Sequence, residues 1–160
     1  MITIITGKIN SGKTTHLIKR YQAQQKGDGY ACVKKMQHGL VLGYDLMRLK
    51  TRESISFIVR DKFYDINMGA IVKIGPYRMF NDALTIVKDN MNKWAESGIN
   101  PLYLDEIGPL EMKNKGFHTL LVSLLNQSID LVLVIREEVL DEACEKYDIK
   151  NPTLVFTKGA

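Results

Sequence analysis

The sequence predicts an α/β fold: a doubly wound, mostly parallel sheet with an antiparallel β extension in its middle region. Three observations carry that reading. Strand-like and helix-like stretches alternate as β-α-β-(β)-α-β-α-β-α-β, the pattern that stacks parallel strands under crossover helices. The run Ile129–Ile135 is almost continuously apolar, as a strand covered on both faces must be. Near the N-terminus, Gly7-Lys8-Ile9-Asn10-Ser11-Gly12-Lys13-Thr14 fits G-x-x-x-x-G-K-[ST] without a mismatch, between a candidate strand and a candidate helix.

Each element has its own local reason. Met1–Thr6 is an apolar run that enters the glycine loop as a strand, and Thr15–Tyr21 opens a helix that runs to about Gln25. Gly27-Asp28-Gly29 is a breaker cluster. Tyr30–Lys34 reads as the second strand, Gln37-His38-Gly39 as a turn and Leu40–Leu49 as the returning strand, with Ser54–Arg60 and Ile71–Ile74 as further short strands. Over Met79–Ser97, Phe80, Leu84, Val87, Met91 and Trp94 recur at spacings of three and four, which predicts a helix closed by Gly98 and Pro101. Trp94 belongs on its core face. Leu102–Glu106 is the next strand, and Asn114 can cap a helix whose stripe is Phe117, Leu120, Leu121, Leu124 and Leu125. After the buried strand come a helix over Glu137–Tyr147 and a last strand over Thr153–Thr157. No repeat, linker or low-complexity segment divides the chain, so residues 1–160 are expected to form a single nucleotide-binding domain.

The residue types of the loop suit one kind of ligand. A triphosphate packs several negative charges into a small volume, and backbone N–H groups from a tight loop together with a helix N-terminus hold it best. Gly7 and Gly12 let the chain curl that closely, and Asn10 tolerates left-handed dihedrals. Lys8, Ile9, Ser11 and Thr15 complete the expected nucleotide-binding stretch. Lys13 would reach the β- and γ-phosphates, and the Thr14 hydroxyl would ligate Mg²⁺.

Asp105-Glu106 extends binding to chemistry, because it ends a short apolar strand and open α/β sheets place ligands at that edge. Asp105 is expected to hold Mg²⁺ opposite Thr14, and Glu106, on the other face of the strand end, to polarise a water for attack on the γ-phosphate. Glu111 either reaches the same site or caps the helical region around Asn114. Arg136, directly after the buried strand, either neutralises charge on the γ-phosphoryl oxygens or is an ordinary exposed arginine. His16, His38 and His118 lack the spacing of a metal site. Asn-Lys-x-Asp, which would read guanine, is missing at both Asn92-Lys93 and Asn114-Lys115.

Composition narrows the class. The net charge of +4 is spread along the chain, so nucleic acid is an unlikely partner and the surface reads as mildly basic. Cys32 and Cys144 lie outside any C-x-x-C pattern and read as reduced cysteines of a cytoplasmic protein. Neither a leader nor a membrane-length apolar run is evident.

The chain resembles the small THEP-type nucleoside-triphosphatases of the P-loop NTPase superfamily. The resemblance rests on the N-terminal strand with Gly7–Thr14, on Gly43-Tyr44-Asp45, and above all on Asp105-Glu106-Ile107-Gly108-Pro109-Leu110-Glu111, similar to that family's D-E-I-G-x-M-E segment. It implies Mg²⁺-dependent hydrolysis of nucleoside triphosphates to diphosphate and phosphate with loose base preference. By position, Lys13, Thr14, Asp105 and Glu106 match the phosphate, magnesium and hydrolytic roles, and Arg136 falls near a basic position. The chain departs from the family at Ala31–Lys34 and at Thr157–Ala160. Two other readings stay open: a nucleotide or small-molecule kinase, for which Arg48, Arg52 and Arg60 could furnish a lid, and a nucleotide-gated switch with slow hydrolysis.

Overall fold

In the computed structural model, which describes residues 1–69 and 71–158, nine strands join one sheet in the order β5-β6-β4-β3-β2-β7-β8-β1-β9. β1 (Ile2–Gly7), β2 (Asp28–Gln37), β7 (Leu102–Ile107), β8 (Leu131–Arg136) and β9 (Thr153–Phe156) form the parallel half. β3 (Leu40–Arg48), β4 (Ser54–Arg60), β5 (Ile71–Ile74) and β6 (Tyr77–Phe80) continue it as antiparallel neighbours beyond β2. The doubly wound sheet and its middle-region extension therefore both stand as read.

Because side chains alternate across a strand, the parallel strands feed two cores. Ile5, Tyr103, Val132 and Val134 face α1 (Lys13–Gln24), whose Leu17 is fully buried between them. Ile4, Leu102, Leu104, Leu133 and Ile135 face the opposite way. There they meet Val87 and Met91 of α2 (Asn81–Glu96) and Leu120, Leu121 and Leu124 of α4 (His118–Leu125). A one-turn α3 (Pro109–Met112) follows β7, and α5 (Leu140–Lys146) continues a short 3₁₀ turn over Glu137–Val139.

Several boundaries differ from the periodicity reading. Asp28 and Gly29 are not a break but the start of β2. Asp28 is fully buried, accepting from Arg48 Nε at 2.7 Å and from the Gly29 N–H at 2.8 Å. Gly29 is required there because a Cβ would overlap the Tyr103 carbonyl across the β2–β7 pairing. Met79 and Phe80 belong to β6, which turns back from β5 through Gly75 (φ 54°) and Pro76, so α2 begins two residues later than its apolar stripe. Asn114 caps no helix: it sits at φ 61° in the loop, and α4 starts after Phe117. The turn at His38-Gly39 has positive φ at both positions, as a two-residue hairpin of this twist demands.

The three arginines considered for a lid are otherwise engaged or turned away. Arg48 is paired with Asp28 and lies 4.6 Å from the Trp94 ring centre, Trp94 stacking in turn on Tyr30. Arg60 lies over Tyr77, and Arg52 sits in the β3–β4 turn at φ 66°. Trp94 is a core residue, as its stripe predicts.

Candidate active site

β1 delivers the glycine loop at the C-terminal edge of the sheet, between β8 and β9. Gly7 pairs in register with Arg136 of β8, so loop and arginine are neighbours. Gly7 is needed because a Cβ would overlap both Thr157 Oγ1 and Ser11 Oγ. Asn10 takes φ 60° and Gly12 φ 84°, which turns the chain into α1. Inside the loop the Ser11 N–H donates to the Lys8 carbonyl, and the Lys13 ammonium reaches back to the same oxygen at 2.6 Å. The lysine thus spans the loop crown. Ile9 is exposed at its rim, while Thr15 and His16 look from α1 into a cleft shared with Phe156, Thr157 and Lys158.

Thr14, the second residue of α1, donates its hydroxyl to Asp105 Oδ2 at 2.7 Å. This joins two residues ninety-one apart in sequence. The same carboxylate oxygen accepts the Cys32 N–H at 2.9 Å, and Oδ1 accepts the Glu106 N–H at 2.8 Å. Asp105 is only 1% exposed. Burial, with the Glu106 carboxylate beside it, pushes the Asp105 carboxyl up to about 7, against the two N–H groups and the hydroxyl that favour its ionised form.

Asp105 and Glu106 occupy a register shift in the β7–β8 ladder between Leu104 and Ile107, and Glu106 adopts φ 71°. Bulges and left-handed non-glycine residues concentrate where a chain must re-aim a side chain. Here the two acids diverge. Asp105 turns to Thr14, while Glu106 and Arg136 line a cavity on the side of the antiparallel strands. Arg136 also borders the cleft beside Gly7, Lys8 and Ile9, and its side chain crosses Gly108 closely enough that a Cβ there would crowd it at 3.3 Å. It is half exposed, with Glu138 3.6 Å away.

Glu111 takes the second of its two readings. It is buried, its oxygens accept the Gly108 and Phe117 N–H groups at 2.8 Å each, and it thereby closes the loop from β7 to α4 at the start of that helix. Gly116, at φ 59°, leaves room for the carboxylate that a Cβ would overlap. Burial raises the Glu111 carboxyl more than these N–H groups lower it.

Two neighbours of the loop escaped the sequence reading. Thr157 Oγ1 lies 2.5 Å from Ser11 Oγ and 3.2 Å from the Thr6 carbonyl, to which it donates. Lys34, within β2, reaches Asn10 Oδ1 at 3.4 Å. The departure of both stretches from the family pattern was the only signal of them.

The hard oxygens of Thr14 and Asp105 could hold a small cation such as Mg²⁺, which takes one or two carboxylates and fills its shell with water and phosphate. Among the described residues no group of three or more His, Cys, Asp or Glu side chains converges on a metal site, and no helix is long and apolar enough to cross a membrane.

Comparison with known proteins bears on the family and the fold. The chain is 30% identical over 139 residues to nucleoside-triphosphatase THEP1 of Saccharolobus solfataricus, covering 82% of this chain and 73% of that one. It is 22% identical over 156 residues to nucleoside-triphosphatase THEP1 of a Thermotoga species, covering 98% and 85%. Its fold matches the crystal structure of THEP1 from Aquifex aeolicus with a TM-score of 0.68 at 17% identity, over 99% of this chain and 90% of that one. It matches the solution structure of a human cancer-related nucleoside triphosphatase with 0.67 at 15% identity, over 96% and 87%. The NTPase family model matches residues 2–157, so the chain belongs to the NTPase family and is an enzyme that hydrolyses nucleoside triphosphates.

Proposed function

We propose that the chain works as one cytoplasmic nucleotide-binding domain over residues 1–160, with the substrate's phosphates in the loop Gly7–Thr15 and Mg²⁺ between Thr14 and Asp105. The hydrogen bond between those two residues is the observation that carries the reading, since it brings both motif halves to one point. When bound, Mg²⁺ neutralises charge on the β- and γ-phosphates. Lys13 exchanges the Lys8 carbonyl for those phosphates. Glu106 orients and deprotonates the attacking water, and Arg136, beside both the loop and Glu106, stabilises charge on the γ-phosphoryl oxygens.

With the phosphates in the loop and Thr14 and Asp105 placed to hold the cation, the cleft of Thr15, His16, Phe156 and Lys158 beside the loop would take the rest of the nucleotide. Phe156 offers an exposed aromatic face there, which supports stacking of any base over hydrogen-bonded readout of one.

The reading is tested by product analysis with labelled nucleoside triphosphates, with and without candidate acceptors. Free phosphate released at the same rate in both is the expected result. Label appearing on an acceptor in place of phosphate defeats it and favours a kinase, although Arg48 and Arg60 are committed elsewhere.

A further inference from the structure

A cavity of about 310 Å³ lies on the side of Glu106 away from the glycine loop, and the nucleotide reading leaves it without an occupant. Its walls come from strands that the sheet order brings together: Tyr44 of β3, Phe57 of β4, Ile74 of β5 and Tyr77 of β6, closed by Phe117 from the loop before α4. Tyr44 and Tyr77 meet edge to face with centroids 6.1 Å apart, and Phe57 stacks on Phe117 at 5.6 Å. Phe57 and Phe117 are buried behind this wall, so the aromatic surface open to a planar ring is that of the half-buried Tyr44 and Tyr77. The volume falls within the range of small-molecule pockets, where apolar walls and a few polar groups at one end fix a ligand's orientation.

The polar end is at Glu106 and Arg136, and Arg136 also borders the cleft beside Gly7, Lys8 and Ile9. Lys113 and the buried Glu111 complete the charged lining, giving two acids against two bases, so the cavity does not select for a charged ligand. We propose that it binds a small, uncharged aromatic molecule of two fused rings, or one ring plus a polar arm, with a hydroxyl or amide against Glu106 and Arg136. Its presence there displaces the water that Glu106 would activate, so the ligand holds the bound triphosphate unhydrolysed without contesting the glycine loop.

This rests on the role proposed for Glu106, and direct binding separates the two ideas. Adenosine, N-acetyltryptophanamide and 2-naphthol serve as probes, measured by ligand-observed NMR with Mg-ADP saturating the nucleotide site. At least one is expected to bind with a Kd below about 1 mM and to lower kcat for NTP hydrolysis while KM stays constant. Ile74→Trp fills the cavity from a half-buried position outside the nucleotide site, and Tyr77→Ala removes an aromatic wall. Each should weaken probe binding at least about tenfold and leave probe-free hydrolysis as in the wild type. Absence of binding by all three probes, or binding unchanged in both variants, overturns the proposal. A probe that binds, depends on Ile74 and Tyr77, and leaves kcat untouched overturns the gating role of the site. Loss of hydrolysis in Glu106→Gln with probe binding retained supports both readings, whereas undiminished hydrolysis there defeats the proposed role of Glu106 alone.

Discussion

At the scale of single residues, two adjacent acids have different surroundings, which is what the separate roles proposed for them rest on. Asp105 is buried against Thr14 and two backbone N–H groups, whereas Glu106 is held in a left-handed conformation with its side chain on the cavity side. Glu106→Gln keeps the size and removes the base, so kcat is expected to fall by about 10²–10⁴-fold while nucleotide affinity, measured by calorimetry, is unchanged. Near wild-type single-turnover hydrolysis would remove Glu106 from the mechanism, and Glu111 could not replace it, since both its oxygens are bound to backbone N–H groups. Lys13→Ala should weaken Mg²⁺-NTP binding severely and leave the circular dichroism spectrum unaltered, because the ammonium's partner is a loop carbonyl and not a core group. Unchanged affinity would reject the loop assignment.

Among the elements, the loop from β7 to α4 is organised from inside by one carboxylate. The Glu111 carboxyl lies above its ordinary value of 4.5 because burial outweighs the N–H groups of Gly108, Phe117 and Glu111 itself. In the window between 4.5 and that raised value the folded state holds more protons than the unfolded one, so this group makes stability fall as pH rises. Glu111→Gln cannot titrate, and its single amide oxygen leaves one buried N–H unmatched at a cost of about 1–3 kcal/mol. Urea unfolding of both proteins across acid to neutral pH should show the wild type's advantage shrinking as pH rises through that window. A constant difference would mean the carboxyl is not shifted. The same region depends on close strand contact at β2 and β7. Gly29→Ala should lower stability by about 1–3 kcal/mol, read from the urea midpoint, since the new Cβ has the Tyr103 carbonyl to displace.

For the whole molecule, sheet order decides what each edge can do. The glycine loop sits between β8 and β9, Asp105 and Glu106 arrive on β7, and β2 brings Lys34 and the Cys32 N–H from the other side. Beyond β2 the antiparallel strands supply the cavity walls, so the edge that carries Asp105 and Glu106 lies between the cleft proposed for the nucleotide and an apolar pocket. On the proposal that Phe156 is the main base contact, ATP, GTP, CTP and UTP should be hydrolysed within a narrow range of kcat/KM. One nucleotide exceeding the rest by roughly a thousandfold, about 4 kcal/mol, would require dedicated base contacts. Phe156→Ala should weaken all four by about 1–3 kcal/mol in equal measure. An effect confined to one base would contradict stacking.

The sequence by itself determined the features whose causes are local. Gly7, Gly12, Lys13 and Thr14 specify their loop by residue type and spacing, the apolar run before Asp105 suits a strand, and the run read as a strand over Ile129–Ile135 is covered on both faces in β8, which starts at Leu131. It misassigned Met79 and Phe80 because a short apolar pair satisfies both a strand and the stripe of the helix that follows, and only pairing with Ile71 and Val72 settles which. Asp28-Gly29 looked like a break because both reasons for its being a strand, Arg48 and Tyr103, lie elsewhere in the chain. Tertiary structure alone decided the contact of Thr157 with Ser11, the inward turn of Glu111, the divergence of Asp105 from Glu106 and the aromatic cavity. Each is made by residues far apart in sequence or by a register shift, and neither spacing nor periodicity encodes which strands become neighbours.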